Sequence, residues 1–466
     1  MLGPYADWMD LNKSYRLPGD IGGPMNLGEG YRWNVPVITY GFERSFLDYF
    51  GTNGVAAVES AIQTLNQVPS ASQINLQDFP LETWRANYQA QALGLLDLKS
   101  TALTLLLEQL GLTDPERQVF VIRDFVPLGT NYGFYVVRRN FDSATAQPSS
   151  YVNGTLFTYS IENYAPFPTG TNAFCDAIEL PVDPQAPSGT TATARYPGQG
   201  AYITRLTRDD VGGLKYLLDG NQIRYESLLA DVHSATTNTP LIRSAWRPGF
   251  GKITLVRHPA GALSGEFRPF TNQWTDVYYS GDDPAYQAVE RITVQPDIVF
   301  TARDLGTSTL VTRTGTTNWV NNAELNGNAG GPGPGVIQPG IVLAFNNAGP
   351  TYENQSPGFL DEATGLRYLA WGSFDGSTNP PVVYPVEFSP FQPTQIRFQL
   401  VVGGRTNHFL SSLPGAAQAR FFFQTATNFT SWTTLATVTN SGTSFTYTFL
   451  ALTNEPCRYF RTVPEP

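Results

Sequence analysis

The side chains that could do chemistry in this 466-residue chain are few: three histidines, two cysteines and some adjacent carboxylates. His233, His258 and His408 lie far apart in sequence, and each reads as a surface or hydrogen-bonded histidine before it reads as a general base. Asp209-Asp210 and Asp282-Asp283 are the residue type for glycoside cleavage, where two carboxyl groups ~5–9 Å apart flank the scissile bond. They read more simply as helix-start charges and a solvated turn. No cofactor motif is present. Calcium is the one ion the acids leave open, although no D-x-D-x-D-G loop surrounds them. One segment has the spacing of a metal site: Thr104, Glu108 and Asp114, with Gly111 between the last two. On a helix, residues four apart share a face, and a glycine lets the chain turn so that a third group can return. An amphipathic helix closed by a glycine cap accounts for it more simply.

Cys175 and Cys457 have two open readings. They could form a disulfide in an oxidising compartment, within one chain or between two, or remain buried thiols. Other motif searches are negative. Gly261-Ala-Leu-Ser264-Gly265 has the wrong spacing for a nucleophile elbow, and Gly251-Lys252 lacks the rest of a phosphate-binding loop. Asn12, Asn153, Asn354 and Asn428 fit the glycosylation sequon, a pattern frequent by chance in a Thr/Asn-rich chain.

The elements that must position these residues begin with a strand over 32–42. Thr52 or Asn53 can cap a helix carrying Val55, Val58, Ile62 and Leu65 at helical spacing, stopped by Pro69. A second helix is expected from about Leu81 to Leu112, interrupted near Gly94 and ended by Gly111 and Pro115. Val119–Ile122 and Phe134–Val137 read as short strands, 142–200 as turns, and Arg208–Leu218 as a helix with acids in its first turn. Beyond Gly220 the signal is almost purely β. Apolar or alternating runs begin at Lys252, Trp274, Val289, Ile298 and Ile341, and Asn326 to Gly335 is Gly/Pro-rich. A tail with its own strand pattern follows Asn379-Pro-Pro, and Phe445, Tyr447 and Phe449 beside Asn440-Ser-Gly442 predict a hairpin. The expected fold is multidomain. An α+β unit spans 1–220, a β-rich middle spans 221–380 with a Gly/Pro loop at 326–340, and a small antiparallel β-sandwich spans 381–466.

With 41% hydrophobic and 13% aromatic residues the chain can build a core. Its net charge of −10 supplies no concentrated basic surface for nucleic acid. The longest apolar region, Leu93 to Leu112, is broken by Asp97, Lys99 and Glu108, so no transmembrane helix is expected. The first residues lack a basic and apolar leader, consistent with a mature form. Low charge and abundant Thr, Asn, Gly and aromatics favour an extracellular or cell-surface location.

Two resemblances add to this. The strand opening Asn34-Val-Pro, the two helices that follow, the Leu110-Gly-Leu112 ending and the Asp209 helix resemble a matrixin-type zincin over about 30–220, with its H-E-x-x-H-x-x-G-x-x-H signature. Thr104, Glu108 and Asp114 occupy the histidine positions and Leu105 that of the catalytic glutamate, so the resemblance implies a scaffold without zinc. Gln424 to Leu435, with Asn428 and Trp432, and then Arg458-Tyr-Phe-Arg461, resembles a C-terminal β-module of secreted bacterial surface proteins, over about 382–466. That resemblance implies a non-catalytic surface or sorting appendage. Val463-Pro-Glu-Pro466 is similar to the opening of the PEP-CTERM sorting signal. From spacing, Trp432 and the Phe/Tyr ladder read as core, not as an exposed platform for carbohydrate. The functional expectation is a non-enzymatic secreted structural protein, a homo-oligomeric or polymeric subunit of a fibre, sheath or surface layer. A divergent secreted hydrolase, zincin-like or glycosidic, and a polysaccharide-binding surface protein are the alternatives.

Overall fold

A computed structural model describes residues 27–129, 131–163, 175–193, 198–236, 240–260, 266–303, 311–314, 319–321, 334–346, 370–385, 395–402, 405–412, 420–428, 431–439, 444–451 and 458–464. Over these residues the chain is mainly β, in several small sheets, with four α-helices. None of those helices is long and apolar enough to cross a membrane.

The apolar runs beginning at Ile298 and Ile341 become the neighbouring parallel strands Ile298–Arg303 and Ile341–Asn346. Strands covered on both faces have no wet side, so they read as unbroken apolar sequence. Val37–Phe42 pairs in parallel with Ile298–Arg303 on one side and with Thr254–Arg257 on the other. Val311–Thr314 completes this five-stranded sheet in the antiparallel sense. Helix α1 (Arg44–Asn66) packs on the sheet through Phe46 and Phe50, each 6.0 Å from Phe345 between ring centroids. Such tilted and edge-on ring pairs add ~0.5–1.5 kcal/mol each beyond the area they bury. Gly51, at φ 59° and ψ −160°, kinks α1 just before the expected start at Thr52. The expected units 1–220 and 221–380 are joined by this sheet, and buried side chains from Tyr31 to Tyr384 form one core. Parallel strands take partners from distant sequence, and periodicity carries no record of which partners.

The helix expected over 81–112 is broken at Gly94 as its glycine suggests, but the pieces are shorter than expected: α2 (Tyr88–Ala92) before the break, then a strand Leu95–Asp97 and α3 (Leu98–Gln109) after it, all preceded by the strand Trp84–Ala86. Asn87 and Asp97 are caps. Their carboxamide and carboxylate accept from Ala90 N at 3.0 Å and Ser100 N at 2.9 Å. Gly94, at φ 66°, turns the chain between them. The region 142–200 also holds more than turns, with strands at Tyr151–Val152, Thr155–Asn163 and Cys175–Pro181. Within the Gly/Pro loop expected at 326–340, Gly335–Ile337 is a strand paired with Tyr31–Arg32 and Trp319–Asn321.

A second five-stranded sheet is antiparallel, ordered Arg224–Ser227, Ser244–Arg247, Phe270–Ser280, Asp283–Thr293 and Val232–Ser234. Its long central hairpin turns at Gly281, at φ 69°. α4 (Arg208–Leu218) lies where expected and carries a capping box between Thr207 and Asp210.

The C-terminal strands form two facing three-stranded sheets around Phe398, Phe421, Phe423 and Val438. The expected all-antiparallel arrangement is corrected, because Gln395–Val402 pairs in parallel with Ser444–Ala451. The expected hairpin at 440–442 is corrected too. Thr433–Thr439 belongs to one sheet and Ser444–Ala451 to the other, so the two strands do not pair with each other. Alternation of Phe445, Tyr447 and Phe449 marks a strand with one buried face, but it does not name that strand's neighbour.

Candidate functional site

α3 ends as a helix that must turn sharply. Gly111 sits at φ 98°, its N–H donates to Glu108 O at 3.0 Å, and Leu112 N donates to Leu107 O at 3.1 Å. This is the paired closure of a Schellman ending, with Leu107 and Leu112 both buried. A Cβ on Gly111 would lie 2.2 Å from Tyr31 O, so only glycine fits.

The three positions with metal-site spacing have separate tasks. Thr104 is buried, and its hydroxyl donates its one proton between Ala192 O at 2.6 Å and, more weakly, Ser100 O at 3.2 Å. Glu108 is half-buried on the last turn of α3. Asp114 accepts from the backbone N–H groups of Glu116 (2.9 Å) and Arg117 (3.3 Å), which starts the next turn. Burial, and then the charge of Glu116, pushes the Asp114 carboxyl up to about 6.

What Thr104 touches is the most densely bonded polar feature near α3. The segment Gly189-Thr-Thr-Ala-Thr193 is held by two buried acids. Glu116 accepts from Gly189 N (2.5 Å), Thr190 N (2.9 Å) and Thr190 Oγ1 (3.2 Å). Asp210 accepts five bonds: from Ala192 N, from the N–H and hydroxyl of Thr193, and from the N–H and hydroxyl of Thr207. A carboxylate has about four lone-pair sites, so Asp210 is saturated. Asn153 joins the cluster, its amide donating to Thr190 Oγ1 and Thr207 Oγ1 at 3.2 and 3.0 Å. That side chain is buried, which keeps its sequon from a glycosylating enzyme in the folded chain. Asp209 accepts from Asn153 N at 2.5 Å, and burial pushes it up to about 6. Asp97 accepts from Ser100 N and from the Ser100 hydroxyl, whose oxygen accepts from Ile203 N; burial raises Asp97 to about 6 as well.

Two further networks back the second sheet, and the sequence reading missed their residues. Arg247 donates to both oxygens of Asp276 (2.9 to 3.2 Å) and to three backbone carbonyls. Arg32 pairs with Glu226 at 2.7 Å, and burial outweighs the arginines around that carboxyl to leave its pKa raised. Asp297 takes both terminal nitrogens of Arg291 and also the N–H (2.7 Å) and hydroxyl (2.9 Å) of Thr39, which fixes the register of Val37–Phe42. Arg32 and Glu226 are 194 residues apart, and Thr39 and Asp297 are 258 apart, so no local pattern could have paired them.

The remaining candidates are dispersed. His258 is buried between Phe267 and Phe270, its ring nitrogens near Pro259 O (3.2 Å) and Thr293 O (3.3 Å). His233 is exposed on the edge strand Val232–Ser234, opposite Glu290. His408 lies on Arg405–Ser412, opposite Gln399. Asp282 and Asp283 are exposed at the hairpin turn. Cys457 lies outside the described residues and Cys175 begins a strand, so the pairing of the two also falls outside them. Among the described residues no three His, Cys, Asp or Glu side chains gather as a metal-holding group. No protein-family model, curated protein or solved structure matches the chain.

Proposed function

We propose that this chain is a non-enzymatic structural protein, secreted to the cell surface as a subunit of an extracellular assembly. The reading rests on how its buried acids are used. Asp210, Glu116, Asp297 and Asp276 spend their oxygens on backbone N–H groups, threonine hydroxyls and arginines, all within the fold. A catalytic carboxylate needs an open lone pair aimed at a reacting atom, and these point at the protein's own loops and strands. Composition supplies the extracellular part: few charges, many Thr and Asn, and four lysines in the whole chain.

Charge distribution favours assembly. The segment 395–464 holds five arginines and a single acid, Glu455, in a chain of net charge −10. A basic module tethered to an acidic body attracts the body of another copy, and this attraction weakens with salt.

Negative-stain imaging of material shed by the source cells, with peptide identification, tests the reading. Ordered polymers containing this chain are expected. A uniformly monomeric species at all salt concentrations would remove the proposal.

A further inference from the structure

The outer face of the second sheet carries a row of rings. In the ladder, Tyr225 opposes Trp246, Trp246 opposes Tyr279, and Tyr279 opposes Pro284. Directly opposed residues point to the same face, so the four form one line across four strands. One step along the central hairpin, Tyr286 stands opposite Val277 on that same face. Trp246 is 53% exposed and Tyr286 65%, although large aromatic side chains normally bury most of their surface. The Tyr225 and Trp246 rings meet edge to face at 5.7 Å.

The inner face explains why this surface holds its shape. Alternate residues of the same strands are Arg224, Glu226, Arg247, Asp276 and Arg291, all buried, and their ion pairs lie beneath the rings. The arrangement also sets the charge outside. All three arginines turn inward, and Glu290 on the outer face accepts from Gln273 at 3.0 Å. Nothing cationic from these three positions is left to draw a polyanion. Away from the rings the outer face is wet and hydrogen-bonding, with Thr271, Gln273 and Thr275 along Phe270–Ser280.

We infer that this face binds a neutral polysaccharide chain, its sugars stacking on Trp246 and Tyr286. A pyranose ring has an apolar C–H face that lies flat on an aromatic ring and a rim of hydroxyls that bonds to Thr, Gln and Ser side chains. Rings in successive strands recur at the strand spacing, ~4.8 Å, so a linear polymer laid across the strands meets one after another. A second protein would instead call for a continuous dry centre, which the interleaved threonines and glutamines interrupt. This inference goes beyond the assembly reading and does not depend on it.

The experiment is retention of the full chain on insoluble cellulose, chitin and β-1,3-glucan, together with sedimentation velocity in their absence. Retention on at least one glycan is expected, weakened about tenfold or more by Trp246→Ala and by Tyr286→Ala, as for an aromatic anchor. Trp246→Tyr should keep most of it, and Tyr135→Ala, exposed on another strand, should leave it unchanged. Thermal melts of the variants check that they fold. Failure of every glycan to retain the wild type, or wild-type retention by a folded Trp246→Ala, would overturn the proposal. So would self-association that Trp246→Ala abolishes, which would give the face to a second copy.

Discussion

The body around the central sheet and the C-terminal module solve one problem in two ways. Both are β-rich and must fix the register of strands that are distant in sequence. The body uses buried charge: Arg247 with Asp276, Arg32 with Glu226, and Arg291 with Asp297, all at or below 5% exposure. The module uses rings. Phe398 lies 4.3 Å from Phe460 and 5.6 Å from Phe423, and Phe449 lies 5.4 Å from Phe460, closing the gap between its two sheets. Two of its arginines stack on rings, Arg458 4.8 Å over Phe449 and the exposed Arg461 4.0 Å over Trp432. A buried ion pair gains little net stability over an apolar pair but punishes the loss of one partner. A ring cluster loses stability in proportion to the volume removed.

The largest expected effect follows from that asymmetry. Asp276→Ala leaves the Arg247 guanidinium buried without its carboxylate and should cost the body about 3–5 kcal/mol, read by calorimetry. The double variant Asp276→Leu with Arg247→Met should lose markedly less than either single change. Equal losses would show that the pair itself stabilises, and the contrast with the module would fail. Next is Phe423→Ala, expected to cost about 3 kcal/mol and to lower only the module's transition. If the body's transition falls with it, the two regions do not unfold independently.

The same contrast explains what was legible in the sequence. Local signals were read well where local physics decides the outcome. α4 occupies 208–218, α1 ends just before Pro69, and the Schellman ending at Gly111 is the glycine cap its spacing suggested. The module's strands show clean alternation because rings on one face hold them together. Reading failed where polar residues carry the structure. Asn87 and Asp97 sit within a helical pattern and are caps, so the two helical pieces on either side of the expected break at Gly94 start later than expected, with short strands before them. Trp432, read as core from its spacing, is half-buried under Arg461. Arg32, Glu226, Arg247 and Asp297 look like ordinary surface charges until the fold brings them together. Thr104, Glu108 and Asp114 have the spacing of ligands, yet spacing along a helix does not reveal that a loop eighty-odd residues away will use the threonine.

A smaller effect separates the regions by pH. Asp209 is raised from 3.8 to about 6, chiefly by burial, so between those values the folded body binds more protons than the unfolded chain. Stability from this group therefore falls as pH rises through that window. Asp209→Asn keeps an acceptor for Asn153 N but removes the cost of the charged form. Relative to wild type, the variant should gain about 1–2 kcal/mol between pH 4 and pH 7. The gain should appear in the body's transition, and a difference that does not change with pH would refute the burial argument. The module's strands, whose segment 395–464 holds Glu455 as its single acid, should show no matching change.

The smallest effect sharpens the comparison most, because it puts the same residue type in both settings. Arg461 lies over the Trp432 ring at 4.0 Å, and its Nε donates to Gln424 Oε1 at 2.9 Å. Arg247 is enclosed and bonded on every side, whereas Arg461 is exposed, and water can replace what it gives up. Arg461→Ala should therefore cost only about 0.5–1 kcal/mol in the module's transition, against several for the loss of Asp276 in the body. Arg461→Lys keeps the charge but loses the planar stack and the directed bond to Gln424, so it should recover only part of the loss. A full recovery by lysine would make the contact one of charge alone. A loss from Arg461→Ala as large as that from Asp276→Ala would mean that the module, like the body, relies on an arginine to hold its strands.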